Sequence, residues 1–445
     1  MNPAAIDTIA AIATAPGSGG IAIVRVSGPA AIDVVARVLG KAPDALGDRQ
    51  VVVAAARDAD GARIDSVVAF AMRGPRSFTG EDVAEIHGHG GGVNSARLLR
   101  AVLAAGARSA EPGEFTRRAF LHGKLDLTRA EALAGVIGAA SERAWRVAQD
   151  QLEGQLGRRI DALRADAIGV LAELEASIDF PEEGLGVELE ASTVARLRAI
   201  AAASAALAGS FRVGRALRDG IVVALAGPVN AGKSSLFNAL VGRERSIVAA
   251  TPGTTRDYVE ARVEWRGVAV TLIDTAGERA GDDVGEIERR GIALATERLT
   301  TADAVLWIAA ASEDDAGGAR FGARGVLVRS KADLGTPVPV DAIASSAVTG
   351  AGLDELRAAA LRCAGIDSDR DDGATGIVTS ERQRAGLSTA AGLFEAAATA
   401  LTAKASAELI AVDVRDGVRA LAEVTGVEVG EAVLDELFAR FCIGK

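Results

Sequence analysis

The sequence predicts a multidomain α+β protein with an N-terminal α+β domain, a central helical domain and an inserted α/β domain. Up to about residue 120, short β-branched runs alternate with glycine turns and helical patterns. From about Leu125 the apolar residues recur at helical spacing, which indicates long helices that pack on one another. From Gly220 continuous apolar strands alternate with helices, which is typical of a parallel sheet covered on both faces.

The composition narrows the class of protein. A chain of 445 residues with 49% apolar content is long enough for two or three domains and excludes a disordered polymer. Two cysteines, Cys363 and Cys442, are too few for a disulfide scaffold and fit a reducing compartment. The net charge of −11 disfavours a broad nucleic-acid-coating surface. No apolar run approaches a membrane span and no secretory signal is visible, so we expect a cytoplasmic protein without a membrane role.

The first two domains are predicted from local patterns. Strands are expected at 21–28, 51–55 and 66–72, and helices around 29–40 and 93–106. In the helical domain no proline interrupts the pattern from Leu125 until Pro181. A second helical stretch follows from about Ala191 to Leu217, and the chain is helical again after Ile377.

The inserted domain has predicted strands at 221–227, 268–277, 304–310 and 325–330. A polar segment near residue 370 marks its end. Insertion is tolerated where the termini of a domain lie close together. The predicted segments are 1–122 (N-terminal domain), 123–217 (helical domain, first part), 218–370 (inserted domain) and 371–445 (helical domain, second part).

The strongest motif is GPVNAGKSS at residues 227–235, between a predicted strand and a predicted helix. It fits Gly-x-x-x-x-Gly-Lys-Ser, whose glycines let backbone N–H groups surround phosphate oxygens at a helix N-terminus. Lys233 is expected to reach the β- and γ-phosphates, and Ser234 to bind Mg²⁺ through its hydroxyl. The alternative is a glycine-rich turn without a ligand, which the strand–helix context disfavours.

Further motifs follow at the ends of later strands. Asp274 opens Asp-Thr-Ala-Gly, where a carboxylate can hold the Mg²⁺ shell and the Gly277 N–H can contact the γ-phosphate. Asp333, in Ser-Lys-Ala-Asp, is placed to accept hydrogen bonds from guanine, which favours GTP over ATP. Ser330 stands where this motif usually has Asn, so an amide that braces the loop or contacts the base is absent. The Ala347 N–H is a candidate donor to guanine O6.

The segment 246–260 lies between the first two motifs and resembles a loop that orders around a γ-phosphate. Thr255 is the expected second Mg²⁺ ligand. Arg256 is a candidate arginine finger, although a salt bridge with Asp257 is the interpretation that we favour.

Several segments together resemble the MnmE (TrmE) family of tRNA modification GTPases. They are the phosphate loop with Asn230, TPGTTRD, PGSGGIAIVRVSG, FTGEDVAEIHGHGG, EPGEFTRRAFLHGKLDL and the terminal FCIGK. The resemblance runs essentially end to end and implies a Ras-like P-loop GTPase domain inserted into the helical domain. It also implies that the N-terminal domain binds tetrahydrofolate and forms a homodimer. The GTP site is then expected to comprise Asn230, Ala231, Gly232, Lys233, Ser234, Ser235, Ala249, Ala250, Thr251, Pro252, Gly253, Thr254, Thr255, Asp274, Thr275, Ala276, Gly277, Ser330, Lys331, Asp333, Ser346 and Ala347.

The resemblance implies that K⁺ takes the place of an arginine finger when two GTP-bound domains pair across their nucleotide faces. A cation beside the phosphates offsets transition-state charge. The implied K⁺ ligands are Asn230, Ala249, Thr251 and Thr254. Two departures from the family pattern, Val229 and Pro252, remove no side-chain ligand.

The family carries a glutamate that positions the attacking water, in the pattern Glu-x-x-Gly-Ile. Glu288 fits that pattern here, and Glu286 remains a rival because this segment is slightly longer than usual. The alternative for both residues is a solvated helix face.

The N-terminal domain resembles the folate-binding part of aminomethyltransferases, and the implied folate residues are Arg25, Glu85, Lys124 and Lys445. A carboxylate can read the edge of a pterin ring, and cations suit the glutamate tail. Cys442 matches a family cysteine near this site, with inert packing as the alternative to a role in the chemistry. His87 and His89 alternate on one strand face, and without a third ligand we favour structural roles.

The implied reaction is carried out with the FAD-dependent partner MnmG (GidA), in a heterotetramer. It adds an aminomethyl or carboxymethylaminomethyl group to C5 of the wobble uridine of certain tRNAs. The one-carbon unit comes from 5,10-methylenetetrahydrofolate or 5-formyltetrahydrofolate. The alternatives are a non-enzymatic GTP switch, such as a ribosome-assembly factor, and a P-loop ATPase. A pure switch needs neither a folate pocket nor a terminal thiol.

Overall fold

The computed structural model describes residues 7–179, 187–242, 259–274, 299–310, 317–335, 339, 341–366 and 376–444. The chain divides into two compact units, Met1–Ala134 with Thr425–Lys445, and Gly135–Val424. Each unit contains a six-stranded sheet among its described residues. The fold class predicted from the sequence is therefore confirmed, whereas the bounds of the four predicted segments stay predictions.

The strands of the described residues are β1 (Ile9–Ile12), β2 (Ile21–Ser27), β3 (Val52–Arg57), β4 (Arg63–Met72), β5 (Val83–His89), β6 (Arg108–Ser109), β7 (Ile221–Ala226), β8 (Val259–Trp265), β9 (Val268–Asp274), β10 (Ala304–Ala310), β11 (Gly325–Ser330) and β12 (Ile343–Ala344). The α-helices are α1 (Ala31–Val38), α2 (Gly92–Ala104), α3 (Glu114–Leu121), α4 (Leu127–Gly138), α5 (Glu142–Leu152), α6 (Gln155–Asp179), α7 (Val187–Gly209), α8 (Phe211–Asp219), α9 (Lys233–Val241), α10 (Leu353–Cys363), α11 (Glu381–Thr402), α12 (Ala407–Thr425) and α13 (Glu431–Ala439). Short 3₁₀-helices lie at Pro43–Ala45, Gly317–Arg324 and Ala332–Leu334.

The sheet of the first unit has the order β3-β4-β5-β2-β1-β6, and its pairs are antiparallel except for β1 with β6. Alternation along the strands gives its two faces different characters. Val24 and Val26 point to a core that includes residues of α1 and α2. The intervening Arg25 pairs with Glu85 across β2 and β5, so both side chains lie on the opposite face. That face carries the first candidate site.

The sheet of the second unit has the order β12-β11-β10-β7-β9-β8. Its pairs are parallel except for β8 with β9. All seven residues of the central strand β10 are buried, as its continuous apolar run predicts. Because these strands are parallel, the carboxyl ends of β7, β9, β11 and β12 lie at the same edge. That edge carries the second candidate site.

The helices of the second unit have a separate core. Leu156, Ile160, Leu197 and Phe394 are fully buried in it. By length and composition alone, the stretch Glu190–Asp219 is apolar enough to cross a membrane. In the structure it belongs to two helices, α7 and α8, and Leu197 and Leu207 of α7 join Phe394 in this core. We therefore interpret α7 as a core helix of the bundle.

The predicted strands at 21–28, 66–72, 221–227, 304–310 and 325–330 are confirmed by β2, β4, β7, β10 and β11. The run at 51–55 begins and ends later, as β3. The strands β1, β6, β8 and β12 were not predicted. For β5, only the alternation of His87 and His89 on one strand face was predicted, without bounds for the strand.

Candidate functional site

The phosphate loop leaves the carboxyl end of β7 and leads directly into α9, as the motif requires. Gly227 opens the loop at φ +143°, and a Cβ built there would lie 2.0 Å from the carbonyl oxygen of Ile308. Only glycine fits this approach of the loop to β10. Asn230 also has a left-handed backbone, at φ 65°, and its side chain is exposed beside the loop. The loop therefore has the backbone that a phosphate cradle needs.

Lys233 begins α9 and is buried, with 7% of its surface exposed. Its ammonium donates to the carbonyl oxygens of Gly227 at 2.9 Å and Pro228 at 2.7 Å. These two carbonyls belong to the loop that would hold the phosphates. A nucleotide that reaches Lys233 must exchange these neutral partners for charged oxygens, which form stronger hydrogen bonds.

Ser234 donates its hydroxyl to Oδ2 of Asp274 at 2.8 Å. Asp274 is the last residue of β9, which pairs with β7 and places Asp274 opposite Leu225. Burial raises the pKa of the Asp274 carboxyl above its ordinary value, against the opposing effects of the Ser234 hydrogen bond and the Lys233 charge. These are hard oxygen donors of the kind that Mg²⁺ prefers. The two predicted metal-shell residues are thus together.

The predicted base-reading residues follow β11 and β12. Asp333 lies in the 3₁₀-helix after β11 with an exposed side chain. Ser346 is buried, and its hydroxyl accepts from the backbone N–H groups of Val348 and Thr349, each at 3.2 Å. This turn holds the Ala347 segment in place after β12. Ser330, Lys331 and these residues share the sheet edge with the phosphate loop.

Other predicted residues of this site lie outside the described residues. They are Ala249, Ala250, Thr251, Pro252, Gly253, Thr254, Thr255, Arg256, Thr275, Ala276, Gly277, Glu286 and Glu288. Their roles stay predictions.

In the first unit, Arg25 and Glu85 form a close ion pair. Arg25 Nε lies 2.8 Å from Glu85 Oε1, and only 8% of the Glu85 side chain is exposed. His87 Nε2 lies 2.9 Å from the other carboxylate oxygen, Oε2. The Arg25 guanidinium stands 5.9 Å from the ring centroid of Phe115, within range of a cation–π contact. Glu85 is therefore held by two side chains that fix its orientation.

The C-terminal segment reaches the same place. Arg25 Nη1 lies 3.5 Å from the carbonyl oxygen of Gly444, and the Gly113 N–H lies 3.5 Å from that of Cys442. Gly444 has φ +96°, and a Cβ built on it would lie 2.3 Å from the carbonyl oxygen of Ile12. Cys442 is exposed. The terminal motif thus brings the backbone carbonyl of Gly444 beside Arg25.

Lys124 is exposed and donates to the Pro75 carbonyl oxygen at 2.9 Å. Nothing in the described contacts joins it directly to Arg25 or Glu85. Lys445 lies outside the described residues. Of the four predicted folate residues, the structure therefore brings Arg25 and Glu85 into contact.

A cleft of about 880 Å³ lies nearby in the first unit, and its lining includes none of these predicted residues. Many of its charges are paired: Arg118 pairs with Asp7, Glu81 and Glu114. Hydrogen bonding from Arg108, together with Arg118, lowers the pKa of Asp7 to about 2 despite some burial. We interpret this network as structural support for α3.

Sequence reasoning missed the partners that support the Arg25 pair. A structural role is expected for His87, but its contact with Glu85 was not predicted, although a spacing of two on a strand puts both residues on one face. Phe115 gave no signal beyond that of a core residue. Ser27, two residues after Arg25, hydrogen-bonds Thr79 at 2.8 Å and Glu81 at 2.7 Å on the same strand face. Polar residues at alternate positions of β2 and β5 were the signal from which these partners could have been predicted.

A glycine-rich loop that joins a strand to a helix N-terminus at the edge of a parallel sheet defines a P-loop nucleotide-binding protein. Family models agree with this class and extend it. The model described as the MnmE helical domain matches residues 127–442, and that of the GTP-binding protein TrmE N-terminus matches residues 8–124. The chain belongs to the MnmE family of tRNA modification GTPases.

Similar proteins span the whole chain. The tRNA modification GTPase MnmE of Parasynechococcus marenigrum is 44% identical over 99% of this chain and 100% of its own length. That of Akkermansia muciniphila is 40% identical over 98% of this chain and 99% of its own. Among solved structures, the G domain of the T. maritima FeoB iron transporter is 26% identical and covers 32% of this chain and 98% of its own, with a TM-score of 0.25. That score is too low to support an argument.

We expect Asp274→Asn to stabilise the nucleotide-free protein near neutral pH, because it removes a charge from a partly buried position. The folded-state pKa lies above the ordinary value of 3.8, so between these two values the folded chain binds more protons than the unfolded chain. The stability of the wild type relative to the variant should therefore fall as the pH rises through this window. Urea unfolding at a series of pH values measures the difference.

Asp166→Asn is the matched control, because Asp166 is an exposed carboxylate on α6 of the same unit. It should give a difference that hardly varies with pH. The prediction would be contradicted if the wild type became more stable relative to Asp274→Asn as the pH rises.

Proposed function

We propose that this protein hydrolyses GTP and, with the FAD-dependent partner MnmG (GidA), modifies C5 of the wobble uridine of certain tRNAs. The group added is aminomethyl or carboxymethylaminomethyl, with its one-carbon unit from a reduced folate. The coarser part, a GTP-hydrolysing enzyme of tRNA modification, follows from membership of the family. The folate-dependent modification is supported by the contact of the terminal FCIGK segment with Arg25, since a pure GTP switch needs no folate site.

The nucleotide half of the proposal rests on the second unit. Backbone N–H groups of the loop and Lys233 bind the phosphates, and Asp333 reads guanine. The Ser234 hydroxyl and Thr255 would hold Mg²⁺, and the hydrogen bond of Ser234 to Asp274 fits this donor set. When bound, Mg²⁺ neutralises charge that develops on the phosphates.

Potassium is proposed as the second cation of the site. Asn230 would contribute its side-chain oxygen, and Ala249, Thr251 and Thr254 the remaining ligands. The exposed position of Asn230 on the phosphate loop supports this assignment. Pairing of two GTP-bound domains would order the loop that holds the ion, and Glu288, with Glu286 as the rival, would position the attacking water.

The folate half of the proposal rests on the first unit. Glu85 is buried, ionic and fixed by Arg25 and His87, so it offers a rigid acceptor edge of the kind that a pterin donor edge would meet. Arg25, with Lys124 and Lys445, supplies cations for the anionic part of a folate. Cys442 is exposed, lies two residues before the Gly444 carbonyl that contacts Arg25, and would be available to the one-carbon chemistry.

The remaining partners are a second copy of this chain, MnmG and tRNA, in the cytoplasm. The net charge of −11 suits weak binding of tRNA by this chain alone, so MnmG would supply most phosphate contacts.

The first test is the wobble nucleoside content of tRNA from cells that lack this protein. We expect the C5-modified uridines to disappear and to return when the wild-type chain is supplied. Lys233→Ala should fail to restore them because the phosphates lose their buried cation. Lys41→Ala, at an exposed position of the first unit, is the control and should restore them. Unchanged nucleosides in the deletion strain would refute the proposed function.

The second test compares GTP turnover in KCl and NaCl at equal ionic strength. Turnover should be faster in KCl, and Asn230→Gly should lose that difference. Glycine keeps the left-handed backbone of Asn230 while removing the proposed ligand. Equal rates of the wild type in both salts would remove potassium from the proposal.

The third test measures equilibrium binding of 5-formyltetrahydrofolate to the full chain. Glu85→Gln should weaken binding by about tenfold or more, because it removes the charge from a hydrogen-bonded pair. Asp33→Asn is the control, because Asp33 is exposed on α1, which packs on the opposite face of the sheet. Absence of saturable binding to the wild type would favour the GTP switch.

A further inference from the structure

The hydroxyl of Ser330 connects two loops that are distant in sequence. Ser330 ends β11, is 4% exposed, and donates to the carbonyl oxygen of Ala231 at 2.6 Å. The carbonyl oxygen of Ala309 on β10 lies farther away, at 3.3 Å. Ala231 is in the phosphate loop, 99 residues earlier in the chain. Since a hydroxyl has one proton, its short contact with Ala231 is the principal hydrogen bond.

The next residue makes a second connection to the same loop. Lys331 has φ 59°, and its ammonium donates to the carbonyl oxygen of Asn230 at 3.1 Å. Two successive residues at the end of β11 thus hold two successive carbonyls of the phosphate loop. Hydrogen bonds therefore connect the segment that ends in Asp333 to the loop that would hold the phosphates.

A neighbouring serine in the same kind of environment makes no such connection. β11 and β12 are parallel, with Arg329 opposite Ala344, so Ser330 and Ser345 follow side by side. Ser345 is fully buried, and its hydroxyl has no hydrogen-bond partner among the residues that the structure describes. Burial at this sheet edge does not by itself give a serine hydroxyl a partner. The contact of Ser330 with Ala231 is therefore specific to its position.

We propose that Ser330 is a positioning residue for the nucleotide, whose hydroxyl holds the phosphate loop at a fixed distance from the guanine-reading loop. It does so from the position at which the guanine motif usually has Asn. The proposal rests on the proposed GTP-binding function and adds to it a residue that touches neither base nor phosphate. The base and the phosphates of a bound nucleotide both depend on the spacing of these two loops. Loss of the contact therefore weakens binding of the whole nucleotide.

The experiment measures GDP affinity and dissociation rate, and KM and kcat for GTP, with the full-length chain. Ser330→Ala should weaken GDP binding and raise KM by about tenfold, because a buried carbonyl loses its donor. The value of kcat should stay within about twofold, since no group that touches the reacting phosphate changes. Ser330→Thr keeps the hydroxyl and should restore most of the affinity.

Ser345→Ala is the matched control, because it removes a buried serine hydroxyl without removing a hydrogen bond of the described residues. Its GDP affinity should equal that of the wild type. The proposal is overturned if Ser330→Ala binds GDP as tightly as the wild type, or if Ser345→Ala loses as much affinity. Urea midpoints of the nucleotide-free chains show that each variant is folded. A wild-type chain that binds neither GDP nor GTP would refute the proposed function itself, which separates the two failures.

Discussion

The close approach of Gly227 to the backbone of β10 is the constraint on which the nucleotide site depends. A side chain at this position would collide with the carbonyl oxygen of Ile308, and the loop would have to move away from the sheet edge. The start of α9, and with it Lys233 and Ser234, would move as well. The contact from Ser330 to Ala231 would then lengthen, because its donor is fixed on β11 and its acceptor on the loop. One glycine thus keeps the loop of residues 227–232 at a fixed position relative to the end of β11.

A glycine also makes a close backbone contact in the first unit. Gly444 approaches the carbonyl oxygen of Ile12 so closely that only glycine fits, which places its own carbonyl beside Arg25. Strand pairing then places Glu85 opposite Arg25, and the strand period places His87 on the same face. In each unit, therefore, a glycine (Gly227 or Gly444) lets a loop or terminal segment approach the backbone of a strand closely. Charged side chains on neighbouring strands then lie beside that segment.

The sequence predicted the elements that have strong local signals. The apolar run of β10 and the phosphate motif between β7 and α9 were found because period, length and loop chemistry agree. The four-residue β1 and the two-residue β12 are too short to show a period. The contact between Ser330 and Ala231 joins residues 99 positions apart, and only the strand order makes them neighbours. Sequence reasoning found the unusual serine but had no means of finding its acceptor.

The groups at the candidate nucleotide site carry a cost to stability. Asp274 is held as a partly buried carboxylate whose pKa burial raises, although a neutral side chain would avoid that penalty. Lys233 is buried against two carbonyls, whereas an exposed lysine would be fully hydrated. A bound nucleotide would add anionic oxygens beside Lys233, and its cation would add a positive charge beside Asp274. The same groups that weaken the folded state alone are therefore those that gain most from the ligand, which is the relation expected of a binding site.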